Sequence, residues 1–116
     1  PYLVSSASSG IFSRYTARTQ QTDRVMPTAV AATLQEMMHY NVTNNYGEDS
    51  FPDVYVCAKT GTAEVGENAT PHSWFVGFSD LPEKPYAFVV VAENAGSGLG
   101  VASSIASRVL RAAGSV

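Results

Sequence analysis

The chain has 116 residues, 45% hydrophobic and 15% charged, a balance that excludes a disordered or low-complexity segment and fits one domain with one core. Seven basic side chains against ten acidic ones leave a net charge of −3, which argues against a nucleic-acid surface. The single cysteine, Cys57, excludes an internal disulfide and a cysteine-rich zinc site, and the longest apolar run, residues 87–92, is too short to cross a bilayer.

Residues 1–24 read as a loop, rich in serine and small residues and then polar, whose abrupt opening suggests a cut through a longer chain. No basic segment followed by an apolar one stands there, so a signal or anchor is expected outside this stretch. Pro27 suits the first turn of a helix, and Val30, Leu34, Met37 and Met38 recur behind it at helical spacing, with Met26 in front. A helix over residues 27–40 is predicted, with those side chains as its apolar stripe. Asn41, Asn44, Asn45 and Gly47 should break it, and Pro52 punctuates the loop that follows.

From Val54 the period changes to that of extended chain. Residues 54–63, 73–79 and 86–93 are predicted strands, the last two joined by a proline-bounded connection over residues 80–85. Links this short favour an antiparallel meander. The glycine cluster of residues 96–100 then leads into a helix over residues 101–113, with Val101, Ile105, Val109 and Ala112 as its apolar side, Arg108 and Arg111 in its final turn and Gly114 as C-cap. The expected class is α+β: an antiparallel sheet of about three strands, one helix before it and a C-terminal helix packed on it.

Only two lysines are present. Lys84 belongs to a polar turn, where lysine is ordinary. Lys59 ends a mostly apolar strand and must reach water, a partner or a ligand. It is followed by Thr60-Gly61-Thr62, so the two threonines share one strand face and Lys59 leaves from the other. All three serve one ligand only if the strand is a sheet edge and the ligand lies along it. Gly61, without a side chain, would then let a ligand backbone approach and pair.

Lys59-Thr60-Gly61-Thr62 resembles the K-T-G motif of penicillin-binding proteins and serine β-lactamases. The flanks extend the likeness. Residues 58–66 followed by His72-Ser73-Trp74-Phe75-Val76-Gly77-Phe78 are similar to two consecutive strands of a transpeptidase domain, and Glu93-Asn94-Ala95-Gly96-Ser97-Gly98 to the end of that domain. Residues 40–47 resemble the helix-to-loop segment that precedes the motif strand in the monofunctional (class B) enzymes. The likeness implies a partial β-lactamase/transpeptidase-like fold, with Lys59 giving positive potential and hydrogen bonds toward a catalytic serine. It also implies that the Thr60 and Thr62 hydroxyls bind a carboxylate, with Gly61 between them, and that the Thr62 N–H is an oxyanion-hole donor. The carboxylate would be that of a peptidoglycan stem peptide ending in D-Ala-D-Ala, or of a β-lactam. No cofactor and no metal is implied.

Two other motifs of that family are absent. No serine has a lysine three residues later, as S-x-x-K requires, and no serine or tyrosine has asparagine two residues later. Residues 1–116 are therefore expected to be the C-terminal portion of a transpeptidase domain, inactive alone, whose partner is the remainder of that domain. The resemblance places the parent on the extracytoplasmic face of the bacterial cell membrane. A β-lactamase or D,D-carboxypeptidase fragment, or a non-catalytic β-lactam sensor, stays open as an alternative. The third strand should expose an edge through which the chain could self-associate.

Other residues have plainer readings. The cluster at residues 96–100 lacks the third glycine of a dinucleotide loop and reads as a structural turn. Cys57, His39 and His72 lack ligand-like spacing, which leaves Cys57 as a buried thiol. Trp74 and Phe75 read as core or sheet packing, and Glu64 as either a groove rim or a solvated strand end.

Overall fold

The computed structural model describes residues 3–47, 50–51, 54–79 and 85–114. The Pro52 loop, most of the connection at residues 80–85 and Lys84 lie outside the described residues.

The chain opens with a hairpin, β1 (Ser6–Ser9) and β2 (Phe12–Thr16), where the sequence reads as a loop. Gly10 turns it at φ 60, a conformation that costs glycine little. β1 holds only serine and alanine, and β2 (FSRYT) does not alternate apolar with polar residues; every residue of both is exposed, so periodicity misses them.

Helix α1 (Thr28–Asn41) has Pro27 as its extended N-cap residue and runs directly into a π-helical turn, Val42–Gly47. The asparagines expected to break the helix hold this turn instead. Asn44 Nδ2 donates to the Tyr40 carbonyl at 3.1 Å, Asn45 Nδ2 to Asn41 Oδ1 at 2.8 Å, and Gly47 ends the turn at φ 88. The predicted stripe does not face a core, for no α1 residue is buried and Val30, Leu34 and Met37 are exposed. The C-terminal end of α1 is seated against the next strand, where the half-buried His39 meets Val56.

Strands β3 (Val56–Ala63), β4 (His72–Ser79) and β5 (Tyr86–Ala92) form an antiparallel sheet in the order β3-β4-β5. Thr60 stands opposite Phe75, and Phe75 opposite Val90. Val56, Ala58 and Phe75 therefore share one face, where they meet Ala102, Ala106 and Leu110 of α2 (Val101–Gly114), with Val42 and Phe51 closing the core. Gly77 lies among them because a Cβ there would come within 3.0 Å of Ala58 Cα and 2.9 Å of Phe88.

The face of α2 differs from the expected one. Val101, Ile105 and Val109 are exposed, and the buried side is Ala102, Ala106, Ser107 and Leu110, rotated by one residue. Two alanines bring the helix close to the sheet, and the Ser107 hydroxyl donates to the Ser50 carbonyl. Gly114 is the last helical residue, not a cap beyond it. The α+β class, the antiparallel meander and the C-terminal helix on one face stand as expected.

Candidate functional site

The candidate site is the edge of β3 that faces away from β4, its one strand partner among the described residues. In an antiparallel ladder a residue's N–H and C=O point the same way, and the direction alternates along the strand. The Thr60 N–H donates to the Tyr46 hydroxyl at 3.1 Å, and the Thr60 carbonyl accepts from Lys59 Nζ at 2.8 Å. Both Thr60 groups thus point away from β4. The Val56 carbonyl does the same, meeting His39 Nδ1 at 3.0 Å. By the same alternation the Thr62 N–H also faces the open edge.

Helix α1 and its π-helical turn cover the first half of that edge. His39 stacks on Tyr55 with ring centroids 3.9 Å apart while it meets Val56. Tyr46 packs edge-on against the buried Phe75 ring, 5.7 Å between centroids, and its hydroxyl overhangs the strand at Thr60. Cover by these two side chains ends there, one residue pair short of Thr62.

Lys59 rises from the opposite face, yet its ammonium bends round the edge to within 3.4 Å of Thr60 Oγ1. That hydroxyl is also 3.4 Å from the Tyr46 hydroxyl. Lys59, Thr60 and Tyr46 therefore converge on one spot: an ammonium, a hydroxyl and a phenol beside outward backbone groups. Such a set suits a carboxylate, with an outward N–H close by for a second oxygen.

Thr62 is held differently. Its Oγ1 accepts the Gly98 N–H at 3.3 Å, so the loop after β5 lies over the motif strand. The buried Ser73 hydroxyl anchors that loop, donating to the Ser97 carbonyl at 2.8 Å and accepting the Ala102 N–H at 3.2 Å. Gly61 belongs to this packing, since a Cβ there would meet Trp74 Cβ at 3.2 Å and Gly98 crosses its backbone on the other face. Its lack of a side chain leaves room for Trp74, a role additional to the ligand approach expected from sequence.

The remaining candidates fall outside this cluster. Cys57 is fully buried in β3, and the His72 Nδ1, at the start of β4 opposite Ala63, accepts the Asn94 N–H at 3.0 Å. Phe75 is core, whereas Trp74 sits on the open face of the sheet, 37% exposed. Glu64 is exposed just past β3. The residues at 96–100 form the turn that carries Gly98, with Gly96 at φ 83. Tyr46 and Ser73 were not singled out by sequence reasoning. A tyrosine closing an asparagine-rich break, and a serine inside an otherwise aromatic and apolar strand, were the signals available.

The family model for the penicillin binding protein transpeptidase domain matches residues 1–111. The chain is 31% identical over 103 residues to the peptidoglycan D,D-transpeptidase PbpA of Mycolicibacterium smegmatis, covering 85% of this chain and 21% of that protein. It is 32% identical over 123 residues to PbpA of Mycobacterium tuberculosis, covering 97% and 25%. The chain thus spans about a fifth to a quarter of the length of these curated relatives. Among solved structures, the ceftriaxone acyl-enzyme complex of penicillin-binding protein A from M. tuberculosis aligns at a TM-score of 0.74 with 31% identity, over 97% of this chain and 27% of that one. The D,D-transpeptidase domain of a peptidoglycan glycosyltransferase from Eggerthella lenta aligns at 0.67 with 26% identity, over 87% and 24%. With a free strand edge bearing Lys59-Thr60-Gly61-Thr62 and a family match across nearly its whole length, this chain belongs to the penicillin-binding protein transpeptidase domain family.

Proposed function

We propose that this chain is the C-terminal portion of the catalytic domain of a peptidoglycan D,D-transpeptidase and forms one wall of its active-site groove. The observation that carries the reading is the convergence of Lys59 Nζ on Thr60 at an edge where the backbone groups of Thr60 face away from the sheet. In the reaction, a serine outside this chain attacks the carbonyl of the penultimate D-Ala, the terminal D-Ala leaves with a proton, and an amine of a second stem peptide then releases the serine as the new amide forms. Lys59 supplies positive potential toward the serine, Thr60 and Thr62 hydroxyls with Gly61 between them bind the terminal carboxylate, and the Thr62 N–H receives the oxyanion. β-Lactams occupy the same edge and are opened by the same serine, in keeping with the acyl-enzyme complexes formed by the M. tuberculosis relative.

The D,D-transpeptidase activity of the relatives favours transpeptidation over the β-lactamase, carboxypeptidase or sensor alternative. A peptidoglycan substrate places the parent at the extracytoplasmic face of the membrane. No helix among the described residues is long and apolar enough to cross a membrane. The test is labelling of the complete protein by a fluorescent penicillin, with cross-linking of a stem peptide measured in parallel. Label that is lost with Lys59→Ala and cross-linked product in the unsubstituted protein support the reading. Equal labelling in both proteins refutes it.

A further inference from the structure

We propose that Tyr46 is a positioning residue of the groove, a role that rests on the reading of Thr60 as a carboxylate ligand. Its ring is fixed by the edge-on contact with the buried Phe75, which itself stands opposite Thr60 in the ladder. The phenol oxygen accepts the Thr60 N–H at 3.1 Å and lies 3.4 Å from Thr60 Oγ1. With the phenol lone pair engaged by that N–H, its own proton is free to point at Thr60 Oγ1. Lys59 Nζ, 3.4 Å from the same oxygen, only donates. Approached from two sides by donors, the Thr60 hydroxyl has its own proton left to turn outward toward an anionic ligand, and the chain of hydroxyls polarises in that direction.

The same contact sets a boundary. An extended ligand pairing with β3 needs outward N–H and C=O groups that are unoccupied. Tyr46 takes the Thr60 N–H and His39 the Val56 carbonyl, so ladder pairing by a ligand begins at Thr62. The ligand carboxylate then meets Thr60 while its backbone pairs with Thr62, a register Tyr46 enforces from a helix rather than from the strand.

The experiment uses the complete protein carrying this chain and two probes, a penicillin with a free carboxylate and the methyl ester of that penicillin. Pseudo-first-order acylation rates are followed with excess probe, so the fraction of active protein does not enter. Tyr46→Phe keeps the ring against Phe75 and removes only the hydroxyl. It should slow acylation by the acid about tenfold, leave the ester rate unchanged, and have no further effect in a Thr60→Val background. Equal slowing of acid and ester, no change in either, or an additive effect in Thr60→Val overturns the proposal. If Thr60→Val leaves the acid-to-ester ratio unaltered, the carboxylate reading of Thr60 falls. If that ratio falls in Thr60→Val but not in Tyr46→Phe, Tyr46 alone loses its role.

Discussion

Gly98 rests on the backbone of Gly61. A methyl group on Gly98 would fall on the Gly61 carbonyl oxygen and within 2.8 Å of the Gly61 nitrogen. The loop after β5 therefore approaches the motif strand as closely as two backbones allow, and the Gly98 N–H reaches Thr62 Oγ1. This contact couples the end of the chain to the site.

Gly98→Ala should destabilise the domain by about 3 kcal/mol, because the obstructing atoms are backbone and neither strand nor loop yields cheaply. Gly100→Ala, where the nearest atom is the Ser97 carbonyl at 3.3 Å, should cost less than a third of that. Urea unfolding of the two variants checks the difference. Equal losses would mean that the loop does not press on Gly61.

Lys59→Ala should slow penicillin acylation of the complete protein by about 10²–10³, the scale for losing one preorganised electrostatic group. Thr62→Ala should cost less, since its backbone donor survives and only the hydroxyl's bonds, to the Gly98 N–H and to the ligand carboxylate, are lost. Thr62→Pro should cost more than either, because it removes the outward N–H. Stopped-flow acylation ranks the three.

The face of α2 has its own test. Leu110→Ala, at a buried position, should lower stability by about 3 kcal/mol. Val109→Ala, at a position 59% exposed, should change it by less than about 0.5 kcal/mol. Thermal unfolding that reversed this order would restore the Val101–Ile105–Val109 side as the inner one.

The 116-residue chain by itself should acquire no covalent label from a fluorescent penicillin, since neither S-x-x-K nor the second motif occurs in it. Binding by two hydroxyls, an ammonium and some strand pairing should be no tighter than about millimolar. Intact mass spectrometry after incubation is the measurement, and an adduct of one penicillin would reveal a nucleophile within residues 1–116.

Strand β5 pairs with β4 alone among the described residues, and Val89 and Val91 are exposed on it. The isolated chain should associate through this edge, with Val89→Lys shifting it to monomer in light scattering. A monomer without the substitution would show that the edge is protected.

The linear order of residues determined the α+β class, the three-strand meander and the motif at Lys59–Thr62, because alternation, turn chemistry and a charge at the end of an apolar run are local signals. It also located the segment at residues 40–47, but not what Tyr46 does there. A hydroxyl that reaches an edge N–H fourteen residues away has no periodicity to betray it. The hairpin at residues 6–16 escaped for a related reason, as two strands exposed on both faces, one of serine and alanine and one mixed, have no apolar rhythm. The inner face of α2 escaped because hydropathy ranks valine and isoleucine above alanine, whereas a sheet approached closely by a helix selects the side with the smallest side chains; α1 buries none of its residues. Tertiary structure alone decided that Ala102, Ala106 and Leu110 face inward, that the sheet edge is covered as far as Thr60, and that Gly98 lies on Gly61. Each of these is a contact between distant segments, settled by shape and by which backbone groups the ladder leaves unpaired.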